Sequence, residues 1–195
     1  FRKNYTFLQN DGEKSISGHE TLLSVSEDKG IIPRKQIKDS TEHISTAETL
    51  VGYKKVKKNN LINNIMLMWK GGLGVSDHDG IVSPAYEVYK FKSYIPKFFH
   101  YLFKTELYKS EFRKKSRGII ESRLRLYDDD FKAMESPIPP IDQQKKIIEY
   151  LDNVDKTLIE LMSLEKKRIE LLKEYRQSLI SEVVTGKIDV RNWDG

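Results

Sequence analysis

The chain has 195 residues, 32 % of them charged, with a formal net charge of +5, an isoelectric point near 9.1 and no cysteine. That length suits one domain plus an extension, and the missing cysteines exclude a disulfide scaffold or a thiolate metal site and fit a reducing, cytoplasmic compartment. No apolar run approaches the ~18 residues of a membrane span, and no signal peptide is visible.

Residues 1–50 are polar, and the start at Phe1 is what a fragment or an incomplete chain would show. Leu22 to Val25 reads as a strand, Asp28-Lys29-Gly30 as a turn, and Ile37 to Thr49 as a short helix. Val51 to Lys58 alternates weakly and leads into Asn59-Asn60, a turn signal. Leu61 to Trp69 is a continuous apolar run and the best candidate for a central strand. Gly71-Gly72-Leu73-Gly74 reads as a flexible loop, Gly80 to Ser83-Pro84 as strand then turn, and Tyr86 to Phe91 as another strand. Pro96 to Tyr108 has a helical period. Arg113 to Arg117 reads as a basic loop, Gly118 to Leu126 as a strand, and Asp128-Asp129-Asp130 as an acidic turn.

From Pro137 the character changes. Pro137-Ile138-Pro139-Pro140-Ile141-Asp142-Gln143-Gln144 opens a stretch with no further proline or glycine until Gly186. Proline suits a first helical turn, Asp142 complements the helix dipole there, and glycine suits the position past a helix end. Apolar residues recur at Leu151, Val154, Leu158 and Leu161, then at Ile169, Leu172, Leu179 and Val183 after one stutter near Glu165. The spacing predicts a helix over about 141–185, roughly 66 Å long at 1.5 Å per residue. Such a helix lies against another long helix or serves as a spacer. It either folds back on its own domain or pairs with a helix outside this chain. The class is therefore α+β: a globular domain with an irregular sheet over 1–136, then a long C-terminal coiled-coil helix and short tail over 137–195.

Charge separates the two parts. Residues 1–136 hold 24 Lys or Arg against 18 Asp or Glu, and residues 137–195 hold 10 against 11. The basic excess belongs to the globular part, which suggests a polyanionic partner there. Two clusters stand out: Lys54, Lys55, Lys57 and Lys58, and Arg113, Lys114, Lys115 and Arg117 with Ser116 between. Lysines suit phosphates, whereas arginine also forks onto guanine edges. Arg34, Lys35 and Lys70 are further candidate contacts.

Catalytic patterns are weak. The Gly71–Gly74 run lacks the spacing of a dinucleotide or phosphate loop. Asp77-His78-Asp79 has no second cluster at metal spacing, so no metal site is expected. Ser83-Pro84-Ala85-Tyr86 is similar to the tetrapeptide of amino-directed DNA methyltransferases, but no glycine-rich cofactor loop precedes it, and it reads as a turn. Asp130-Phe131-Lys132 with Glu121 is too common a pattern to argue for a nuclease.

Taken in order, several stretches resemble the specificity subunits of Type I restriction-modification systems. They are Leu22–Ser26 with Gly30–Pro33, Asn63–Trp69, Gly74–Ser76 with Asp79–Tyr86, Ser116–Gly118, Pro139–Gln144, and Leu179-Ile180 with Thr185–Ile188. The resemblance covers most of residues 20–188, and Gln143 stands where many relatives carry glutamate. It implies a target-recognition domain that reads double-stranded DNA and a helix that sets the distance between half-sites. It further implies no catalytic site in this chain. Methyltransferase (modification) subunits would bring S-adenosylmethionine, and a restriction subunit would use ATP and Mg²⁺. With one domain and one helix, the chain would be half of a two-domain subunit or a half-subunit forming an antiparallel homodimer. The other reading is a structural coiled-coil assembly protein with a basic interaction domain.

Overall fold

The structure, a computed structural model, describes residues 1–26, 30–34, 49–120 and 123–191. Its strands are β1 (Arg2–Lys3), β2 (Leu8–Asn10), β3 (Leu23–Ser26), β4 (Gly30–Pro33), β5 (Lys54–Val56), β6 (Leu61–Asn64), β7 (Leu73–Val75), β8 (Gly80–Val82), β9 (Tyr86–Phe91) and β10 (Glu135–Ser136). Its α-helices are α1 (Pro96–Lys104), α2 (Glu106–Lys115), α3 (Asp128–Ala133) and α4 (Ile141–Val184). Short 3₁₀ turns lie at Asn4–Thr6 and Met68–Lys70. The class is α+β, with an irregular sheet and a long last helix. The expected turn at 28–29, the short helix from Ile37 and the candidate Lys35 lie outside the described residues.

A four-stranded antiparallel sheet in the order β2-β9-β6-β7 forms the frame. Three antiparallel pairs, β1-β10, β3-β4 and β5-β8, surround it. Register explains the packing. Leu61 faces Tyr89 and Ile62 faces Val88 across β6 and β9, so alternate residues point to opposite faces. Ile62 and Val88 join Leu23, Ile31, Val56 and Val82 in one core cluster. Tyr89 serves the other face, where its ring lies 5.5 Å from Phe131. There Phe131 meets Phe103 at 5.6 Å and Phe112 at 6.0 Å, and Phe99 stacks on Phe7 at 4.6 Å. Both faces are covered, so all four residues of β6 are buried, and the strand reads as a run instead of an alternation.

The run does not stay a strand as far as Trp69. Asn64 stops it: its side-chain oxygen accepts from Met66 N–H at 3.0 Å, and its carbonyl accepts from Leu67 N–H at 3.0 Å. This side-chain turn offers the backbone an alternative to the ladder, and Met68–Lys70 curls into a 3₁₀ turn. The glycine run is not a loop throughout, since Leu73–Val75 pairs with β6.

Other expectations are corrected beyond β7. The helical stretch from Pro96 is two helices, because Thr105 adopts an extended conformation and its hydroxyl accepts from Tyr108 N–H to start α2. Arg113–Lys115 is not loop but the last turn of α2, where cations complement the carbonyl end of the dipole. Asp128–Asp130 is the first turn of α3, where carboxylates complement the opposite end. Residues 118–120 and 123–126 form no strand; an isolated bridge joins Arg117 to Arg125, and Arg123 N–H bonds the Ile120 carbonyl.

Two buried amides tie distant segments. Asn4 donates to the Phe131 carbonyl at 2.8 Å and accepts from the Ser136 hydroxyl at 2.7 Å. Gln144, in the first turn of α4, donates to the Pro139 carbonyl at 2.8 Å and accepts from Ile95 N–H at 3.3 Å. The chain divides into two compact units, Phe1–Ile147 and Ile148–Gly195. In the second, Gly186 adopts φ +76° beyond the end of α4, and Lys187 N–H returns to the Glu182 carbonyl at 2.9 Å. That left-handed cap is the reason for a glycine there.

His100 of α1 gives one pH prediction. Its Nδ1 accepts from Val75 N–H at 3.3 Å. Burial, with Lys104 nearby, holds its pKa below the ordinary 6.5, although Asp77 opposes this and Lys97 adds to it. The unfolded chain then takes up the proton first, so the stability contribution is full above pH 6.5 and is lost as pH falls through 6.5 toward the folded pKa. The slope from one proton is at most about 1.4 kcal/mol per pH unit. Thermal midpoints from pH 7.5 to 5 should fall for the parent chain and flatten for His100→Gln. An equal fall in both would remove His100 as the cause.

Candidate nucleic-acid interface

The strongest cationic constellation lies where the Met68–Lys70 turn packs on α2. Glu106, Lys109, Ser110 and Arg113 follow the spacing i, i+3, i+4, i+7 and share one face of that helix. Tyr108 and Phe112 occupy the opposite, buried face. With Trp69 and Lys70 the first face lines an open cleft of about 470 Å³. The Lys70 ammonium lies 4.9 Å from the centroid of the Trp69 ring, and the Arg113 guanidinium carbon lies 5.0 Å from it. The indole N–H donates to the Met66 carbonyl at 3.1 Å. Cation–π contacts of this kind are worth about 0.5–1 kcal/mol when exposed. They hold both cations against one ring.

Glycine makes this turn possible. A Cβ on Gly72 would come within 2.6 Å of the Leu67 Cβ, so the chain doubles back there only without a side chain. Lys104 then donates to the Gly71 carbonyl at 2.9 Å, and Lys109 pairs with Glu106 at 2.7 Å.

The lysine cluster near residue 56 is arranged differently. Lys54 and Lys55 lie on β5. Lys54 pairs with Glu87 at 2.8 Å, Lys55 with Glu13 at 2.7 Å and Lys57 with Asp79 at 3.1 Å. Asp79 also accepts from the backbone N–H of Lys58 at 2.8 Å. The hydrogen bond and charge of Lys55 lower the Glu13 pKa, and the backbone N–H of Lys58 with the ammonium of Lys57 lowers that of Asp79. Three of the four cations therefore face a carboxylate. Lys58 stands in the turn before β6, and its ammonium makes no ion pair among the described residues.

Further candidates are scattered around these two groups. Arg34 follows β4, and its backbone N–H donates to the Leu22 carbonyl at 2.9 Å. Lys114 pairs with Glu111 at 2.6 Å, and Lys115 is exposed at the end of α2. The hydroxyl of Ser116 donates to the Phe112 carbonyl at 2.8 Å, so it closes the helix and does not point outward as a free donor. Arg117 is exposed and pairs with Asp130 at 2.7 Å. Lys70 and Arg113 are thus brought together, whereas the lysines of β5 belong to another edge. Lys109 escapes the sequence reading because the apolar period that marks the helix ends at Tyr108.

Other motifs resolve into structure. No group of three or more metal-ligating side chains occurs among the described residues. His78 N–H bonds the Ser76 hydroxyl, and Tyr86 N–H bonds the Ser83 carbonyl at 3.0 Å, which makes Ser83–Tyr86 a turn. No helix among the described residues is long and apolar enough to cross a membrane. On α4, Val154, Leu158, Leu161, Ile169, Leu172 and Leu179 are exposed, while Leu151 and Val183 are half-buried.

Comparison with known proteins adds the family. The family model described as the Type I restriction modification DNA specificity domain matches residues 13–171. A search of curated proteins returned no match. The match runs over most of the sheet, the Trp69 cleft and most of α4, in the order in which the structure joins them. The chain therefore belongs to the Type I restriction-modification DNA specificity family, non-catalytic modules that recognise DNA for a system whose chemistry lies on other subunits.

Proposed function

We propose that the Trp69 cleft is the centre of the DNA face of this specificity subunit. The supporting observation is the convergence of Lys70 and Arg113 on one indole from segments over 40 residues apart in sequence. Lys70, Lys109, Lys115 and Lys58 act on phosphates, which position the duplex without specifying it. Arg113 carries a planar fork suited to guanine edges in the major groove, and Arg117, paired with Asp130, supports the segment beside it. Arg34, Lys35, Lys54, Lys55, Lys57, Lys114 and Ser116 add to these contacts in a supporting role.

Helix α4 is the assembly surface. Its apolar residues follow an 11-residue repeat: Ile147, Leu158, Ile169 and Ile180 in one position, and Tyr150, Leu161, Leu172 and Val183 in another. Eleven residues over three turns is 3.67 per turn, close to a straight helix, so the stripe suits a long, nearly straight partner. The partner is a second copy or the like helix of the same subunit, packed antiparallel. Modification subunits bring S-adenosylmethionine, and a restriction subunit uses ATP and Mg²⁺. The chain itself binds none of these, and the complex works on double-stranded DNA in the cytoplasm.

Selection of duplexes from a randomised pool by the purified chain tests the DNA reading. One enriched sequence is expected, bound with an affinity that falls steeply with salt. Recovery of unenriched DNA at every salt concentration, beside salt-sensitive capture of acidic proteins, would leave only a structural assembly protein.

A further inference from the structure

Beyond α2 the chain makes a small projection of which only Arg117 belongs to a cluster named above. Its two legs are residues 117–120 and 123–125. Arg117 and Arg125 exchange backbone hydrogen bonds at 2.9 and 3.0 Å, and Arg123 N–H returns to the Ile120 carbonyl at 2.9 Å. The legs are closely packed, since a Cβ on Gly118 would come within 2.6 Å of the Arg123 carbonyl oxygen. Arg117 anchors the first leg to Asp130 of α3 at 2.7 Å. The base is also held, because Leu126 is fully buried and its N–H donates to the Ile65 carbonyl at 3.0 Å.

What this held base presents is unusual. Ile119 is 101 % exposed and Ile120 51 % exposed. Exposed Arg117, Arg123 and Arg125 flank them. Arg123 and Arg125 make no ion pair among the described residues. Two adjacent isoleucines in water are unfavourable by the apolar area they leave uncovered.

We infer that Ile119 is a base-reading tip, placed in the major groove of the target duplex by a two-legged, arginine-flanked projection. The occupant follows from charge and shape. Two guanidinium groups with no carboxylate partner among the described residues, beside an apolar tip, suit an anionic backbone with apolar groups set between its strands. The major groove displays the thymine methyl, the apolar mark by which an apolar side chain distinguishes bases. Arg123 and Arg125 hold the phosphates on either side. A wedge between base steps in the minor groove would also use an apolar side chain, but it would bend the DNA.

This inference rests on the proposed DNA reading, and the experiment separates the two. The probes are the duplex selected by the parent chain, a random duplex, and the selected duplex with each thymine replaced in turn by uracil, which removes only the methyl. Ile119→Ala should weaken binding of the selected duplex about tenfold, leave random DNA unchanged and leave the salt slope and thermal midpoint intact. One uracil substitution should weaken the parent chain by a similar factor and have no effect on Ile119→Ala. Arg123→Ala and Arg125→Ala should weaken both duplexes alike, each lowering the salt slope by about one. Gly118→Ala, which forces the legs apart, should lose the preference as Ile119→Ala does. The inference is overturned if Ile119→Ala binds as the parent does, if it loses selected and random DNA equally, or if uracil affects parent and variant alike. Retained sensitivity to Trp69 and Arg113 substitutions would then show that the DNA face stands without the tip. DNA bending by the parent that Ile119→Ala abolishes would replace the major-groove reading with the minor-groove wedge.

Discussion

Leu172→Glu should convert an α4-paired dimer into a monomer, with association weakened at least about a thousandfold. Leu172 is 57 % exposed in the single chain and lies near the middle of the apolar repeat. In an antiparallel pair each chain contributes one copy, so the substitution removes two leucines. Burying a leucine is worth about 2 kcal/mol. Two therefore account for about 4 kcal/mol, or roughly a thousandfold, before the cost of placing two carboxylates in the seam. Charge gives the proposed pairing an expected register. Glu165 and Arg176 occupy the same position of the 11-residue repeat, where Val154 is apolar. Pairing centred between Glu170 and Leu171 places Ile169 opposite Leu172, Leu158 opposite Val183, and Glu165 opposite Arg176. Glu165→Arg and Arg176→Glu should each weaken the dimer, and the double variant should recover most of the loss, as a charge-reversal cycle shows for a direct pair. Sedimentation equilibrium across micromolar concentrations reads all four proteins. A Leu172→Glu chain that remains dimeric would move the contact off this stripe, and a double variant no better than the singles would exclude this register.

Replacing Trp69 and Arg113 by alanine together should lower duplex affinity by about 10–100-fold and reduce the salt slope by about one. The slope change comes from Arg113, the remainder from loss of the indole that orients Lys70. The lysines of β5 supply the contrast. Lys54, Lys55 and Lys57 already face Glu87, Glu13 and Asp79, so fewer of their charges are available to phosphate. Lys58→Ala alone should lower the slope by about one if the turn before β6 reaches the backbone. Alanine at Lys54, Lys55 and Lys57 also uncovers three carboxylates, and any effect should fall on selected and random DNA alike. Fluorescence anisotropy at several salt concentrations, with thermal midpoints as a folding control, measures each contribution. If the β5 triple variant loses more affinity than the Trp69/Arg113 variant, the DNA face lies on the β5 edge instead.

The long helix is legible in the sequence alone because its signals are local. Pro139-Pro140, Asp142, the apolar period and Gly186 lie within or beside the segment they describe, and the helix runs Ile141–Val184 against an expected 141–185. Tyr86–Phe91 is a strand with the expected ends for the same reason. The family resemblance is likewise carried by the order of short local motifs.

Tertiary structure decided what depended on distant partners. No periodicity marks Asn64 as the end of β6, because its turn forms only where Gly72 lets the chain double back. The basic run at Arg113 reads as a loop until Tyr108 and Phe112 find an aromatic core to bury against, which extends the helix through Lys115. Lys54, Lys55 and Lys57 form a cationic cluster in sequence, but strand pairing delivers Glu87, Glu13 and Asp79 to them. Lys58 is left as the cation of that cluster whose ammonium faces no carboxylate among the described residues. Conversely, Lys70 and Arg113 are unremarkable alone and converge only because the Met68–Lys70 turn packs on α2. Charge and period along a chain can be counted residue by residue. Which charges are cancelled, and which converge, depends on contacts across tens of residues, and those exist only once the sheet has formed.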